Sequence, residues 1–288
     1  MRRAENQSLT GRMRLIGSMA LVLLAFAANP LLCRMALGGT NLDPASFTLI
    51  RLASGAVTLW LILQWQGRGA VPAGSRAGAI SLFIYAATLS YAYVTLGAGI
   101  GTLLLFGAVQ VTMISAGLIQ GERLRLRQGV GVLIAVLGLV ILLAPGATAP
   151  GWQGAILMIL SGLAWGVYSL LGRHSLRPVA LTTGNFLGAV ALAAALSALS
   201  APWVSWDLRG AAYAIASGSI ASGIGYAIWY SVLPALRATQ AAVIQLGVPA
   251  LTAMGGIIFL GESLTLRLIA SSVGILGGIA LVFIERRH

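Results

Sequence analysis

Charged residues make up only 8% of this 288-residue chain, whereas 58% are hydrophobic. A typical globular domain carries about 25% charged residues. A soluble fold with so little charge would have to cover its surface with apolar groups, so a soluble class is excluded. The apolar residues also fall in runs of about 20, the length that crosses a bilayer as a helix. Outer-membrane barrels need short alternating segments, which are missing. The class is an all-α polytopic membrane protein.

Other scarcities exclude whole chemistries. A single cysteine, Cys33, rules out an intrachain disulfide and any paired-cysteine metal site. No Asp or Glu falls in the middle of an apolar run. A proton relay on a buried carboxylate and a two-aspartate intramembrane protease therefore both lack their residue. The two histidines, His174 and His288, stand at a span end and at the terminus, which leaves no Ser–His pair in the membrane. No enzyme activity, cofactor or metal is expected. Lysine is absent: all eighteen basic residues are arginine, which reads as genomic base composition. The net charge of +12 does not signal nucleic acid, because the arginines form short clusters between apolar runs, with no basic helix face and no stacking aromatics.

The runs predict about ten spans, roughly at 14–35, 45–66, 76–96, 100–120, 128–145, 152–173, 180–200, 209–232, 238–260 and 266–284. Turn chemistry marks the joints. Asp43-Pro44 should cap and start the second span, with proline where a helix needs no N–H. Pro145-Gly146 and Pro150-Gly151 bracket a hinge between halves, Pro178 opens the seventh span and Pro202 follows it. Arg2, Arg3, Arg12 and Arg14 followed by an apolar run and Ala25-Phe26-Ala27 imitate a signal peptide. The run continues past that point and has a counterpart in mid-chain, so it is expected to be a retained helix.

The counterpart belongs to an internal duplication. Gly121-Glu122-Arg123-Leu124-Arg125-Leu126-Arg127 returns as Gly261-Glu262-Ser263-Leu264-Thr265-Leu266-Arg267, an offset of 140 residues. Leu24 to Arg34 aligns with Leu163 to Arg173 at an offset of 139 residues. The rare charged positions coincide in each pair: Arg34 with Arg173, Glu122 with Glu262, and Arg127 with Arg267. The two repeats are expected at 1–147 and 148–288. With a cytoplasmic N-terminus, fourteen arginines fall inside and three (Arg34, Arg209 and Arg267) outside, which fixes both termini as cytoplasmic. Five spans per repeat is an odd number, so the second repeat should be inverted relative to the first.

Inverted repeats suggest alternating access around a central cavity near mid-membrane. In the third span Ser81, Tyr85, Thr88, Tyr91 and Thr95 recur at helical spacing. The eighth span offers Ser219, Ser222, Tyr226 and Trp229. Such stripes read as a cavity wall, with helix packing through hydroxyls as the alternative. Phe26 and Asn29 in the first span face the same task as Trp165 and Tyr168, with Ser161, in the sixth. Phe106 and Gln110 in the fourth span match Gln245 in the ninth. Pro249 should break its helix and free the carbonyl of Gln245, and Pro30 should do so for Phe26; a plain packing kink is the alternative. Arg51 alone is charged well inside a span, and it reads either as a functional charge or as an arginine that snorkels outward or meets a carbonyl. Arg34, Arg173, Glu122 and Glu262 read as helix-end anchors or gate contacts.

With these residues in view the chain resembles the drug/metabolite transporter superfamily in its EamA-type ten-helix form. The duplicated Gly-Glu-x-Leu, the Trp165-Gly166-x-Tyr168 with Arg173, and Pro249 carry the likeness over nearly the whole chain. Within it the aromatic stripe with Tyr85, together with Trp165, looks most like the YddG branch of amino-acid exporters. That resemblance implies a bacterial inner-membrane exporter of neutral or aromatic amino acids. The family commonly has Trp where Phe26 stands and often has Pro near Val109-Gln110, so a broader amino-acid range is equally compatible. The expected partners are small-molecule substrates and the lipid bilayer, with the chain working as a monomer. A multidrug or nucleotide-related metabolite exporter is the alternative within transport, and a non-transporting scaffold or enzyme the alternative outside it.

Overall fold

A computed structural model describes residues 2–67, 70–121, 126–144, 146, 149–173, 175–232 and 245–283. Glu122, Arg123, Arg125, Pro145, His174, Arg237 and the terminal Arg286, Arg287 and His288 lie outside these residues. So does the expected start of the ninth span. Among the described residues ten long helices are seen: α1 (Arg2–Gly39), α2 (Pro44–Gln66), α3 (Arg76–Tyr93), α4 (Ala98–Ile119) and α5 (Leu126–Leu143), then α6 (Trp152–Gly172), α7 (Pro178–Leu199), α8 (Leu208–Val232), α9 (Gly247–Leu260) and α10 (Leu266–Phe283). No strand occurs among the described residues.

Seven of these helices are long and apolar enough to cross a bilayer, and α9 and α10 are shorter apolar helices. The protein is a multi-pass membrane protein. α3 is less apolar because it carries Ser81, Tyr85, Ser90 and Tyr93, all of them buried. A helix surrounded by other helices need not match the polarity of lipid.

The expected caps are present. Asp43 accepts the Ser46 N–H at 2.9 Å, with Pro44 at the first helical position. Pro178 likewise takes the start of α7, there without a side-chain cap. Asp207 adds a further cap, accepting the Gly210 N–H at 2.9 Å at the start of α8. One expectation about proline is corrected. α1 stays helical through Pro30, so this residue does not break it; instead the Thr252 hydroxyl donates to the Ala27 carbonyl at 3.4 Å, one turn before the proline. Near Pro249 the chain is interrupted: Gln245 is helical, a turn follows at Leu246, and α9 runs from Gly247 with Pro249 in its first turn.

Helix neighbours repeat between the halves. α6 packs on α3 and α4, while α1 packs on α8 and α9; α2 pairs with α7, α4 with α9 and α5 with α10. Each relation survives when every helix is exchanged for the one five places away. The α5–α10 pair is joined through small residues: a Cβ on Gly278 would lie 2.4 Å from the Gly131 carbonyl oxygen. Small residues are what let helices approach this closely where lipid supplies no hydrophobic drive.

Bonds between the halves tie both ends of the bundle. At the end away from the N-terminus, Glu262 Oε1 accepts the Ala98 N–H at 2.6 Å and Asp43 Oδ2 accepts the Ser205 N–H at 3.3 Å. At the other end Ala73 N–H donates to the Ala180 carbonyl at 2.9 Å and Ser75 N–H to Asn185 Oδ1 at 2.8 Å. The large core lies between these ends and includes Phe47, Tyr85, Tyr93, Tyr168, Phe186 and Tyr226.

Candidate functional site

The centre of the bundle is aromatic. The Trp165 ring of α6 lies 4.8 Å from Tyr85 of α3, 5.3 Å from Tyr168 and 5.6 Å from Tyr226 of α8, the last two stacked. Phe26 of α1 meets Tyr226 edge-on at 5.7 Å and Trp229 at 6.0 Å. Phe186 of α7 meets Tyr226 edge-on at 6.2 Å. Trp165 and Phe26 thus approach from opposite halves of the chain and meet through Tyr226. The rings contact one another across the place where a cavity is expected. An open hollow of about 360 Å³ lies elsewhere, at the bundle end beside Arg34, Arg209 and Glu262.

A polar cluster adjoins the rings. Arg51 Nη2 donates to Tyr85 Oη at 3.1 Å, and its guanidinium carbon lies 5.2 Å from the Tyr85 ring centroid. Asn29 Nδ2 donates to the same Tyr85 oxygen at 3.4 Å. Asn29 Oδ1 accepts from Ser217 Oγ at 2.7 Å and from Cys33 Sγ at 3.7 Å. Arg51 Nη1 points at Cys33 Sγ, 4.0 Å away. Arg51 is only 2% exposed, so it does not snorkel outward. The helix supplies this geometry: Phe26, Asn29 and Cys33 are three and four residues apart on one face of α1. Close packing fixes α2 against α8, since a Cβ on Gly218 would lie 2.0 Å from the Arg51 carbonyl oxygen.

Other expected residues are placed variously. Gln110 Oε1 and Ser222 Oγ are buried without a hydrogen-bond partner among the described residues. Phe106 packs against the core, partly buried. It shares with Gln110 and Gly99 the face of α4 on which Gly99 meets Ala253 of α9. Gln245 is half-buried just before α9. Thr88 bonds the Ile84 carbonyl of its own helix at 2.7 Å and joins no ring. Tyr91 is 37% exposed and stands apart from the cluster. At 3.6 residues per turn it lies about 120° around the helix from Tyr85, at the edge of the stripe.

Cys33, Ser217 and Phe186 are additions that sequence periodicity missed, and Arg51 is the one whose direction it left open. Ser217 escaped because Ser217–Ile224 is π-helical. In an uninterrupted α-helix Ser217 and Tyr226 would lie about 180° apart; the wider turns bring both to the interior. Ser219, expected on the inner stripe, instead bonds the Ile215 carbonyl at 2.6 Å in an exposed position.

The span-end charges act as anchors. Arg34 donates to the Tyr93 and Val94 carbonyls at 2.9 and 2.8 Å, closing the C-terminus of α3. Glu262 receives the first N–H groups of α4. Arg173 donates to Gln120 Oε1 at 2.8 Å, and Arg267 bonds the Ala144 carbonyl.

Comparison with known proteins gives this architecture a family. The EamA-like transporter family matches twice, at residues 14–144 and 152–284. An uncharacterised Pseudomonas aeruginosa protein is 54% identical over 267 residues, covering 92% of this chain and 93% of its own length. An uncharacterised transporter of Archaeoglobus fulgidus is 27% identical over 253 residues, covering 85% of this chain and 90% of its own. The uncharacterised transporter YoaV of Bacillus subtilis is 23% identical over 260 residues, covering 85% and 89%. A solved crystal structure shares the fold at a TM-score of 0.65 and 20% identity, over 92% of this chain and 95% of that one. With both halves matched by one family of transporters, the chain belongs to the EamA-like transporter family.

Proposed function

We propose that this transporter exports amino acids with apolar or aromatic side chains by alternating access, as in the YddG branch it resembles. In this reading the two repeats are inverted, the protein lies as a monomer in a bacterial inner membrane with both termini cytoplasmic, and the substrate binds between the halves.

One observation carries the reading: rings packed together from both halves adjoin a buried set of hydroxyl, amide and guanidinium groups, and the two sets share Tyr85. A zwitterion needs donors for its carboxylate, acceptors or π faces for its ammonium, and an apolar surface for its side chain. Tyr85, Asn29 and Arg51 supply the donors. The faces of Trp165, Tyr168 and Tyr226 supply both π density and apolar area. Gln110 Oε1 and Ser222 Oγ are buried acceptors without a partner among the described residues. In the ring-closed arrangement the faces cover each other, and a substrate side chain replaces one of those contacts.

Purified protein in liposomes, assayed with a panel of labelled amino acids, tests this. Saturable flux of large apolar amino acids is expected. Flux of cationic drugs with none for any amino acid would replace it with the multidrug alternative.

A further inference from the structure

We infer that Arg51 and Tyr85 form a receptor for a substrate carboxylate, so that the transported class is a monocarboxylate with a hydrophobic side chain. This rests on the transport reading of the same site and narrows it.

An arginine stays charged even when buried, and a buried charge without a counter-charge is unfavourable. The described carboxylates near the spans are engaged elsewhere: Asp43 caps α2, Asp207 caps α8 and Glu262 caps α4. Glu5 lies in the first turns of α1, about 36 Å along the axis from Asn29 at 1.5 Å per residue. The groups that Arg51 does meet, Tyr85 Oη and Cys33 Sγ, are neutral. No counter-ion for this guanidinium is found among the described residues.

The surroundings are rich in donors. Tyr85 Oη already accepts from Arg51 and from Asn29, so its own proton is directed to a further acceptor. The guanidinium has five N–H groups, and two have the partners just named. A carboxylate satisfies such a set with two oxygens in one plane, matching the guanidinium fork. One positive charge balances one carboxylate, whereas a phosphate dianion would leave a charge uncompensated. The aromatic wall begins at the same residue, because the Tyr85 ring lies 5.2 Å from the Arg51 guanidinium carbon and 4.8 Å from the Trp165 ring. The head-group site and the side-chain site are therefore one residue apart.

The test is binding to the full chain in nanodiscs, read by tryptophan fluorescence, with four phenyl compounds: phenylalanine, 3-phenylpropionate, phenylalaninamide and 2-phenylethylamine. Phenylalanine and 3-phenylpropionate should bind, with the amide and the amine at least about tenfold weaker. Arg51→Gln should remove that preference and Arg51→Lys should keep part of it. The wild-type comparison does not depend on either variant folding. Amide or amine binding as tightly as phenylalanine overturns the inference, as does failure of both carboxylates to bind or displacement of phenylalanine by chloride alone. The wider amino-acid reading fails on a different result, the absence of amino-acid flux in liposomes, and it survives equal binding of acid and amide.

Discussion

Glu262, in the connection between α9 and α10, holds the N-terminus of α4: its Oε1 lies 2.6 Å from the Ala98 nitrogen and its Oε2 3.3 Å from the Gly99 nitrogen. A carboxylate in one half of the chain thus caps a helix of the other. It satisfies N–H groups that have no partner within α4 and meets the positive end of the helix dipole. Removing it loosens the contact between the halves at that end of the bundle.

Glu262→Ala should therefore lower stability by about 1 kcal/mol, in the range of other helix-cap losses. Thermal melting of the purified protein in detergent reads this. A melting temperature equal to that of the unaltered protein would mean that the bond adds nothing.

Gly218→Ala should be harmful despite its small size. The added Cβ would lie 2.0 Å from the Arg51 carbonyl oxygen, so α2 and α8 must separate. Overpacking of this kind costs about 1–3 kcal/mol. Lower yield of folded protein in the membrane fraction is expected, and a normal yield with normal flux would show that the two helices can part freely.

Transport should not require a proton gradient. Among the described residues no carboxylate or histidine lies in the central cluster, whose polar members are Asn29, Cys33, Arg51, Tyr85 and Ser217. Facilitated diffusion or exchange is expected. Liposome flux that vanishes when an imposed proton gradient is collapsed, with the substrate gradient unchanged, would contradict this.

Both termini should be cytoplasmic, from the arginine count and the even number of expected spans. A reporter active only in the periplasm, fused after His288, should be silent. Its activity would refute the inverted arrangement.

Most helices were legible because long apolar runs and caps such as Asp43-Pro44 are local features. The anchoring by Arg34 and Glu262 was legible too, since charges at span ends have helix termini within reach. Direction was not. The sequence put Arg51 inside a span, but only packing against Tyr85 and Cys33 shows that it turns inward. Phase was the other difficulty: an ideal 3.6 period put Ser219 inside, whereas the π-helical turns put Ser217 there, and the same period carries Tyr91 off the buried face of α3.

The central claim is that the rings around Trp165 receive the substrate side chain, and Trp165→Ala tests it most directly. A ring that packs a side chain and attracts its ammonium is worth about 0.5–2 kcal/mol. Counterflow of phenylalanine and alanine should be measured in the same liposomes, with the amount of folded protein measured alongside. The phenylalanine-to-alanine flux ratio should fall by about 2- to 30-fold while protein still reaches the membrane. An unchanged ratio with less folded protein would show that Trp165 only packs the core.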